Sequence, residues 1–149
     1  MKIAIANDHA GVDYKNQIVK MLTELGHEVF NFGTDEKISC DYPDYAEKVA
    51  RAVLDGKAER GILVCGTGIG MSIAANKFKG IRASLCADEF SAEMTRLHND
   101  SNVICLGART LGIEVALRIV DKYISTTNFL GGNHARRISK YKDVTKKCD

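Results

Sequence analysis

Short apolar runs alternate with longer segments of helical period along most of the chain. Five of the runs have the length and composition of strands, over residues 2–6, 28–32, 61–65, 82–87 and 103–106. Most segments between them place apolar residues three and four positions apart, as amphipathic helices do. This alternation is typical of a parallel sheet covered by helices on both faces. The sequence therefore predicts a three-layer α/β/α sandwich with a five-stranded parallel, Rossmann-like sheet.

The predicted helices follow the strands, and the last one ends the chain. They cover residues 11–25, 71–77, 89–98, 112–124 and about 134–147, together with a second helix that has Pro43 in its first turn and continues over 45–54. The chain has no internal repeat, low-complexity tract or long linker at which a domain boundary would fall. We therefore expect one domain over residues 1–149.

Composition excludes several classes of protein. The chain lacks a run of about 18 apolar residues, and its apolar start reaches Asn7-Asp8-His9 too early for a signal peptide. We expect a soluble cytoplasmic protein without membrane contact. The five cysteines are odd in number and far apart, with no CxxC pair and no zinc-ligand spacing. Neither a disulfide framework nor a metal site is expected.

The net charge of +2 is unevenly distributed. Residues 136–149 carry six Lys and Arg against two Asp, which leaves the rest of the chain slightly acidic. A basic segment of this kind is most often a solvated helix face, and otherwise a contact to an anion or a nucleic acid. Because the net charge is so small, we expect no nucleic-acid partner.

Polar clusters follow four of the predicted strands at the point where each strand ends. They are Asn7-Asp8-His9, Cys65 to Gly70, Ala87-Asp88-Glu89 and Gly107-Ala108-Arg109. In an open parallel sheet, ligands bind beyond the carboxyl ends of the strands, where the strand order reverses. If the first and third strands are neighbours, Asp8, His9 and Cys65 converge on one crevice.

The segment CGTGIG, residues 65–70, is the most specific local motif. Its glycines let backbone N–H groups approach an anion or an oxyanion at the start of a helix. A dinucleotide fingerprint and a Cys-x5-Arg phosphatase loop are excluded because position 71 is Met, and a Walker loop is excluded because it needs a Lys-Ser/Thr pair. A tight turn without a ligand is the alternative.

Cys65 itself has two interpretations. A thiol at a strand end is most often a buried core group. Its place just before a glycine turn and a helix favours the second interpretation, a thiolate stabilised by the helix N-terminus. The other cysteines lack this setting and are interpreted as structural or surface thiols.

Histidines and arginines supply further candidates. His9 and His98 each have the alternative of a capping or surface group, but His9 lies at the predicted crevice. Near the C-terminus, a Gly-Gly pair precedes Arg136 and Arg137. Two guanidiniums bind a phosphate well, and a basic helix face is the alternative.

Seven separated motifs together are similar to those of one enzyme family. In order along nearly the whole chain they are NDHAG, DYPDYA, CGTGIGMSIAANK, GIRA, RLHNDSNV, LGAR and GGNHARR. The chain resembles type B ribose-5-phosphate isomerase, in the sugar-phosphate isomerase family that includes galactose-6-phosphate isomerase. The resemblance implies interconversion of D-ribose 5-phosphate and D-ribulose 5-phosphate through an enediol(ate), with no metal or organic cofactor.

The resemblance also implies a role for each matching residue. Cys65 is the base, Thr67 assists proton movement between the oxygens, and His98 opens the furanose ring. The positions that hold the sugar and its enediolate are Asp8, His9, Tyr42, Asn99 and the backbone of Gly66, Gly68, Ile69 and Gly70. Arg109 and Arg137 hold the phosphate. Family sites lie between subunits, so we expect a homodimer or a dimer of dimers with a shared active site.

Two positions bear on how the family pattern applies. Some members carry a Glu at position 71 and lack the cysteine, so Met71 places this chain in the cysteine branch. Related enzymes often have Arg at position 133, where this chain has Asn. Asn133 or Arg136 would then supply that phosphate contact.

Two other functions remain as alternatives. One is an isomerase of a six-carbon sugar phosphate, allose or galactose 6-phosphate. The other is a non-catalytic sugar-phosphate sensor on the same fold. The presence of Cys65, Thr67 and His98 together argues against a sensor, because a binding module needs no carbon-acid base.

Overall fold

A computed structural model describes residues 1–141 of the chain, which form five strands and six helices. The strands are β1 (Lys2–Asn7), β2 (Glu28–Asn31), β3 (Arg60–Cys65), β4 (Ala83–Leu85) and β5 (Val103–Gly107). The helices are α1 (Val12–Glu24), α2 (Tyr42–Leu54), α3 (Ile69–Ala75), α4 (Glu89–Asn99), α5 (Ile113–Ser125) and α6 (Asn133–Ser139).

The strands form one parallel sheet in the order β2-β1-β3-β5-β4. The predicted α/β/α sandwich and the adjacency of the first and third strands are both confirmed. Asn7 pairs with Val64, so the carboxyl ends of β1 and β3 lie side by side. The chain reaches the sheet edge with β4 before it returns to form β5 beside β3.

Each strand presents alternate residues to opposite layers. Ile3 and Ile5 pack with α1, α4 and α5 on one face. Ala4 and Ala6 pack with α2 and α3 on the other face. Cys65 belongs to this second layer, whereas α4 lies on the first.

Three predicted elements differ from the observed ones by more than one residue at an end. The strand over 82–87 keeps a regular ladder only over Ala83–Leu85, because β4 is an edge strand paired on one side. The helix over 71–77 begins earlier, at Ile69, because Gly68 takes the left-handed conformation and caps it. The last helix is observed over Asn133–Ser139, and the remainder of the predicted 134–147 segment includes residues 142–147, outside the described residues.

No helix within residues 1–141 is both long enough and apolar enough to cross a membrane.

Candidate active site

Cys65 lies at the end of β3, where the chain turns into α3. Its sulfur accepts a hydrogen bond from the Gly68 N–H at 3.1 Å. Gly68 has a φ of +77°, and a Cβ there would lie 2.9 Å from the carbonyl carbon of Leu106. Only glycine meets both conditions without strain. The turn therefore holds an N–H donor against the sulfur, and such a donor offsets negative charge on it.

Two other buried cysteines, Cys86 and Cys105, have raised pKa values. Burial raises the pKa of Cys86 to about 12, and a nearby Asp88 carboxylate adds to the shift. Burial also raises the pKa of Cys105 well above its ordinary value. Both thiols are therefore neutral near pH 7, as expected of core cysteines.

The outer side of the glycine loop carries polar groups. Thr67 is exposed, and its hydroxyl oxygen accepts a hydrogen bond from the Ile69 N–H at 3.3 Å. Arg109 donates its backbone N–H to the Gly66 carbonyl at 2.9 Å. Its Nη1 lies 3.5 Å from the position that a Cβ on Gly66 would occupy. A guanidinium therefore stands beside the loop.

Asp8 and His9 lie at the end of β1, next to this loop. The Asp8 N–H donates to the Val64 carbonyl at 3.1 Å, and its carboxylate accepts from the Ala10 N–H at 2.9 Å. His9 accepts a hydrogen bond at Nδ1 from the backbone N–H of Cys40 at 3.4 Å. The segment before α2 therefore holds the His9 ring from the side.

Tyr42 approaches the loop from α2. A Cβ on Gly70 would lie 2.7 Å from a carbon of the Tyr42 ring, so the ring packs directly on the Gly70 backbone. Tyr42 thus packs on the loop that carries Cys65, while Asp8 and His9 follow the neighbouring strand β1.

His98 lies in a second group of side chains, at the end of α4. Its ring stacks on that of His134, with centroids 4.2 Å apart and planes inclined by 3°. The Leu130 N–H donates to the Leu97 carbonyl at 3.0 Å, which brings α6 onto α4. Partial burial lowers the pKa of His134, and the neighbouring His98 and Arg137 lower it further. The neutral form of His134 is therefore favoured near pH 7.

The second group also contains three exposed residues, Asn99, Asn133 and Arg137. Asn99 is the last residue of α4, while Asn133 and Arg137 lie in the first and last turns of α6. Within residues 1–141, no hydrogen bond or ring contact joins this group to the Cys65 loop. The predicted site residues therefore fall into two groups, the candidate half-site around Cys65 and the candidate half-site around His98.

Metal ligands do not cluster at either half-site. Within residues 1–141, no group of three or more His, Cys, Asp or Glu side chains is close enough to hold an ion.

Comparison with known protein families places the chain in one of them. The family profile described as Ribose/Galactose Isomerase matches residues 3–141. The chain belongs to this family. The match spans all the motifs on which the resemblance to type B ribose-5-phosphate isomerase rests, and that resemblance is confirmed.

Individual relatives are similar over nearly the whole chain. Ribose-5-phosphate isomerase B of Escherichia coli is 48% identical over 137 residues, which are 92% of this chain and 91% of that protein. The structure of ribose-5-phosphate isomerase B from Clostridium thermocellum superposes with a TM-score of 0.95 at 48% identity, covering 100% of both chains. That of Thermotoga maritima has a TM-score of 0.90 at 50% identity, covering 93% and 95%.

The family motifs contain contacts that sequence reasoning missed. His134 stands in the motif GGNHARR, and the structure places its ring on that of His98. Arg82, in the motif GIRA, contacts the turn that follows His98. No signal in the sequence pairs these residues, because each pair joins segments that are distant in the chain.

Proposed function

We propose that this member of the ribose/galactose isomerase family interconverts D-ribose 5-phosphate and D-ribulose 5-phosphate through an enediolate. The observation that carries the proposal is the hydrogen bond from the Gly68 N–H to the Cys65 sulfur at 3.1 Å. It gives one cysteine a donor that stabilises a thiolate at the carboxyl end of the central strand. A thiolate is a competent base for a proton next to a carbonyl.

The reaction begins with ring opening, since ribose 5-phosphate is mostly a furanose in solution. We assign this step to His98, which moves a proton from the C1 hydroxyl to the ring oxygen as the C1–O4 bond breaks. The stack on His134 holds the imidazole in one orientation. A fixed orientation serves proton transfer, because general acid–base catalysis depends on geometry before pKa.

Proton transfer between the carbons follows. The Cys65 thiolate takes the C2 proton of the open aldehyde, and the electron pair moves onto O1 to give the enediolate. Backbone N–H groups of residues 66–70 stabilise that charge. Thr67 moves a proton from O2 to O1, and the Cys65 thiol returns its proton to C1, which leaves the C2 ketone.

The arginines hold the phosphate in this proposal. Arg109 and Arg137 present exposed guanidiniums, one beside the glycine loop and one on α6. Asn133 is also exposed, at the first turn of α6, so its amide is free to donate a neutral hydrogen bond. A neutral donor binds phosphate less strongly than a guanidinium does.

Replacing Asn133 with Arg is therefore expected to lower KM for ribose 5-phosphate by about fivefold, with a smaller change in kcat. Steady-state kinetics of the two enzymes would measure it. Asn133→Gln, which adds length without charge, is the matched control and is expected to leave KM unchanged. An unchanged KM in Asn133→Arg would place position 133 away from the phosphate.

A second copy of the chain completes the site in this proposal. Cys65 faces the layer of α2 and α3, whereas His98 belongs to α4 on the opposite face of the sheet. Four large apolar side chains are exposed near the glycine loop and the start of α4: Ile69, Ile73, Leu85 and Phe90 at 51%, 56%, 44% and 71%. Large apolar side chains that are exposed together mark protein interfaces. A dimer across it would bring the half-site of one copy to the complementary half-site of its partner.

Mixing two inactive variants tests this shared site. If Cys65→Ala and His98→Asn subunits are dissociated and reassembled together, each mixed dimer contains one site with both native residues. Activity is then expected to recover to about one quarter of the native value, since half of the dimers are mixed. No recovery, with mixed dimers shown by mass spectrometry, would place the whole site within one copy.

The function itself is tested with purified protein and ribose 5-phosphate in D2O. We expect ribulose 5-phosphate carrying deuterium at C1, detected by proton NMR. Allose and galactose 6-phosphates are measured in parallel, and kcat/KM is expected to be at least about tenfold lower for them. Tight binding of ribose 5-phosphate without isomerisation or exchange would contradict the proposal and indicate a sensor.

A further inference from the structure

We propose that Arg82 is a positioning residue for His98, which it serves by closing the turn that follows α4. The inference rests on the proposed role of His98 in ring opening. Arg82 lies just before β4, outside both half-sites, and has no role in the reaction described above. The Arg82 side chain contacts the backbone immediately after His98.

The turn after α4 has an unfavourable backbone conformation. Asp100 caps the helix with a φ of +44°, and it is the only residue other than glycine with a positive φ within residues 1–141. Side chains with a Cβ adopt this region rarely, and surrounding contacts must hold them there. The position of His98, two residues earlier, depends on those contacts.

Arg82 supplies four hydrogen bonds to this turn. Its Nε donates to the carbonyl of Asn99 at 3.1 Å and to that of Asp100 at 2.9 Å. Its Nη2 donates to the same Asp100 carbonyl at 2.7 Å and to the Asp100 carboxylate at 2.8 Å. One planar guanidinium therefore satisfies the last carbonyls of α4 and an ion pair together. Lysine lacks this fork of donors.

Arg96 holds the same turn from the inside. Its Nη1 donates to the other carboxylate oxygen of Asp100 at 3.1 Å and to the Ser101 carbonyl. The Tyr123 hydroxyl donates to that carbonyl as well, at 2.9 Å. Arg96 is nearly buried, with 8% of its side chain exposed, whereas Arg82 has 27% exposed. Removing Arg82 therefore frees the outer side of the turn while the inner contacts preserve the fold.

The His98 ring has one described stacking partner, His134, and the stack requires the end of α4 to meet α6 in register. A turn that relaxes after Asn99 changes the direction of the last turn of α4, which carries His98. A misplaced acid–base group slows its own step and leaves other steps intact. The loss of Arg82 is thus expected to act on ring opening alone.

Two assays separate ring opening from proton abstraction. Isomerisation of ribose 5-phosphate requires ring opening, but exchange of the C1 hydrogen of ribulose 5-phosphate with deuterium from solvent does not, because that ketose cannot close a five-membered ring. For Arg82→Ala we expect kcat/KM for ribose 5-phosphate to fall about tenfold, with the exchange rate changed by less than about twofold. Arg82→Lys is expected to restore part of the loss.

A matched control and a double-mutant cycle complete the experiment. Arg118→Ala removes an exposed ion pair to Glu89 at the other end of α4 and is expected to change neither assay. In a His98→Asn background, Arg82→Ala is expected to cause no further loss, since the two residues act as one unit. If Arg82→Ala does not fold, Arg82→Lys takes its place in the same cycle.

The outcomes separate this inference from the function on which it rests. A His98→Asn enzyme with native turnover would overturn the role of His98 and the inference with it. If His98→Asn is impaired, native turnover in Arg82→Ala overturns the inference alone. The inference is also overturned if Arg82→Ala causes its full loss in the His98→Asn background. It is overturned as well if Arg82→Ala slows isomerisation and deuterium exchange equally.

Discussion

Replacing Cys65 with alanine is expected to reduce kcat for ribose 5-phosphate by about a thousandfold or more. The substitution removes the only sulfur that receives a hydrogen bond from the glycine loop among the described residues. Without a base, neither the C2 proton of the aldose nor the C1 proton of the ketose is abstracted. Steady-state turnover and deuterium exchange into both sugars would measure the loss, and both are expected to fall together.

Cys86→Ala is the matched control. Cys86 is 2% exposed, and burial raises its pKa to about 12, so its thiol contributes packing and no charge. We expect native turnover and a decrease of about 1 kcal/mol in the free energy of unfolding, measured in urea. Cys65→Ser is expected to be nearly as inactive as Cys65→Ala, because a hydroxyl is far less acidic than a thiol. Native turnover in either Cys65 variant would show that Cys65 is not the base.

The sheet could be predicted because its central strands are buried on both faces. Residues 60–65 are buried throughout, and such strands appear in a sequence as unbroken apolar runs between glycines. The order of the last two strands could not be predicted in the same way. The edge position of β4 follows from tertiary packing, including the Asn76 amide, which bonds both backbone groups of Ala83. Periodicity contains no information about such a contact.

The candidate site also has a part that the sequence predicts and a part that it does not. The Cys65 loop is local, so a strand, three glycines and a helix start within one segment indicated it directly. Contacts between distant segments could not be predicted from the sequence. They are the ring of His134 on His98 and the guanidinium of Arg82 on Asp100. The family resemblance assigned a role to His98 without either neighbour. The roles assigned to the individual residues remain predictions.

His98→Asn is expected to lower kcat/KM for ribose 5-phosphate by about a hundredfold, since it removes the acid–base group for ring opening. Exchange of the C1 hydrogen of ribulose 5-phosphate with solvent is expected to change by less than about threefold. Asparagine preserves a planar polar side chain at the end of α4, so the fold is expected to be retained. The two rates are measured by a coupled assay and by NMR in D2O.

His27→Asn is the control for this substitution. His27 lies near the start of β2, where its Nδ1 is 3.3 Å from the N-terminal amine, and it belongs to neither half-site. Equal losses of isomerisation and exchange in His98→Asn would mean that His98 takes part in proton abstraction.

A loss confined to the furanose substrate would instead divide the chemistry between the half-sites. Ring opening would then belong to α4 and α6, and proton transfer to the loop after β3. Because β3 and α4 contribute to opposite layers of the sheet in one chain, we expect the two groups to meet across a pair of copies, and the mixing of Cys65→Ala and His98→Asn subunits tests this expectation.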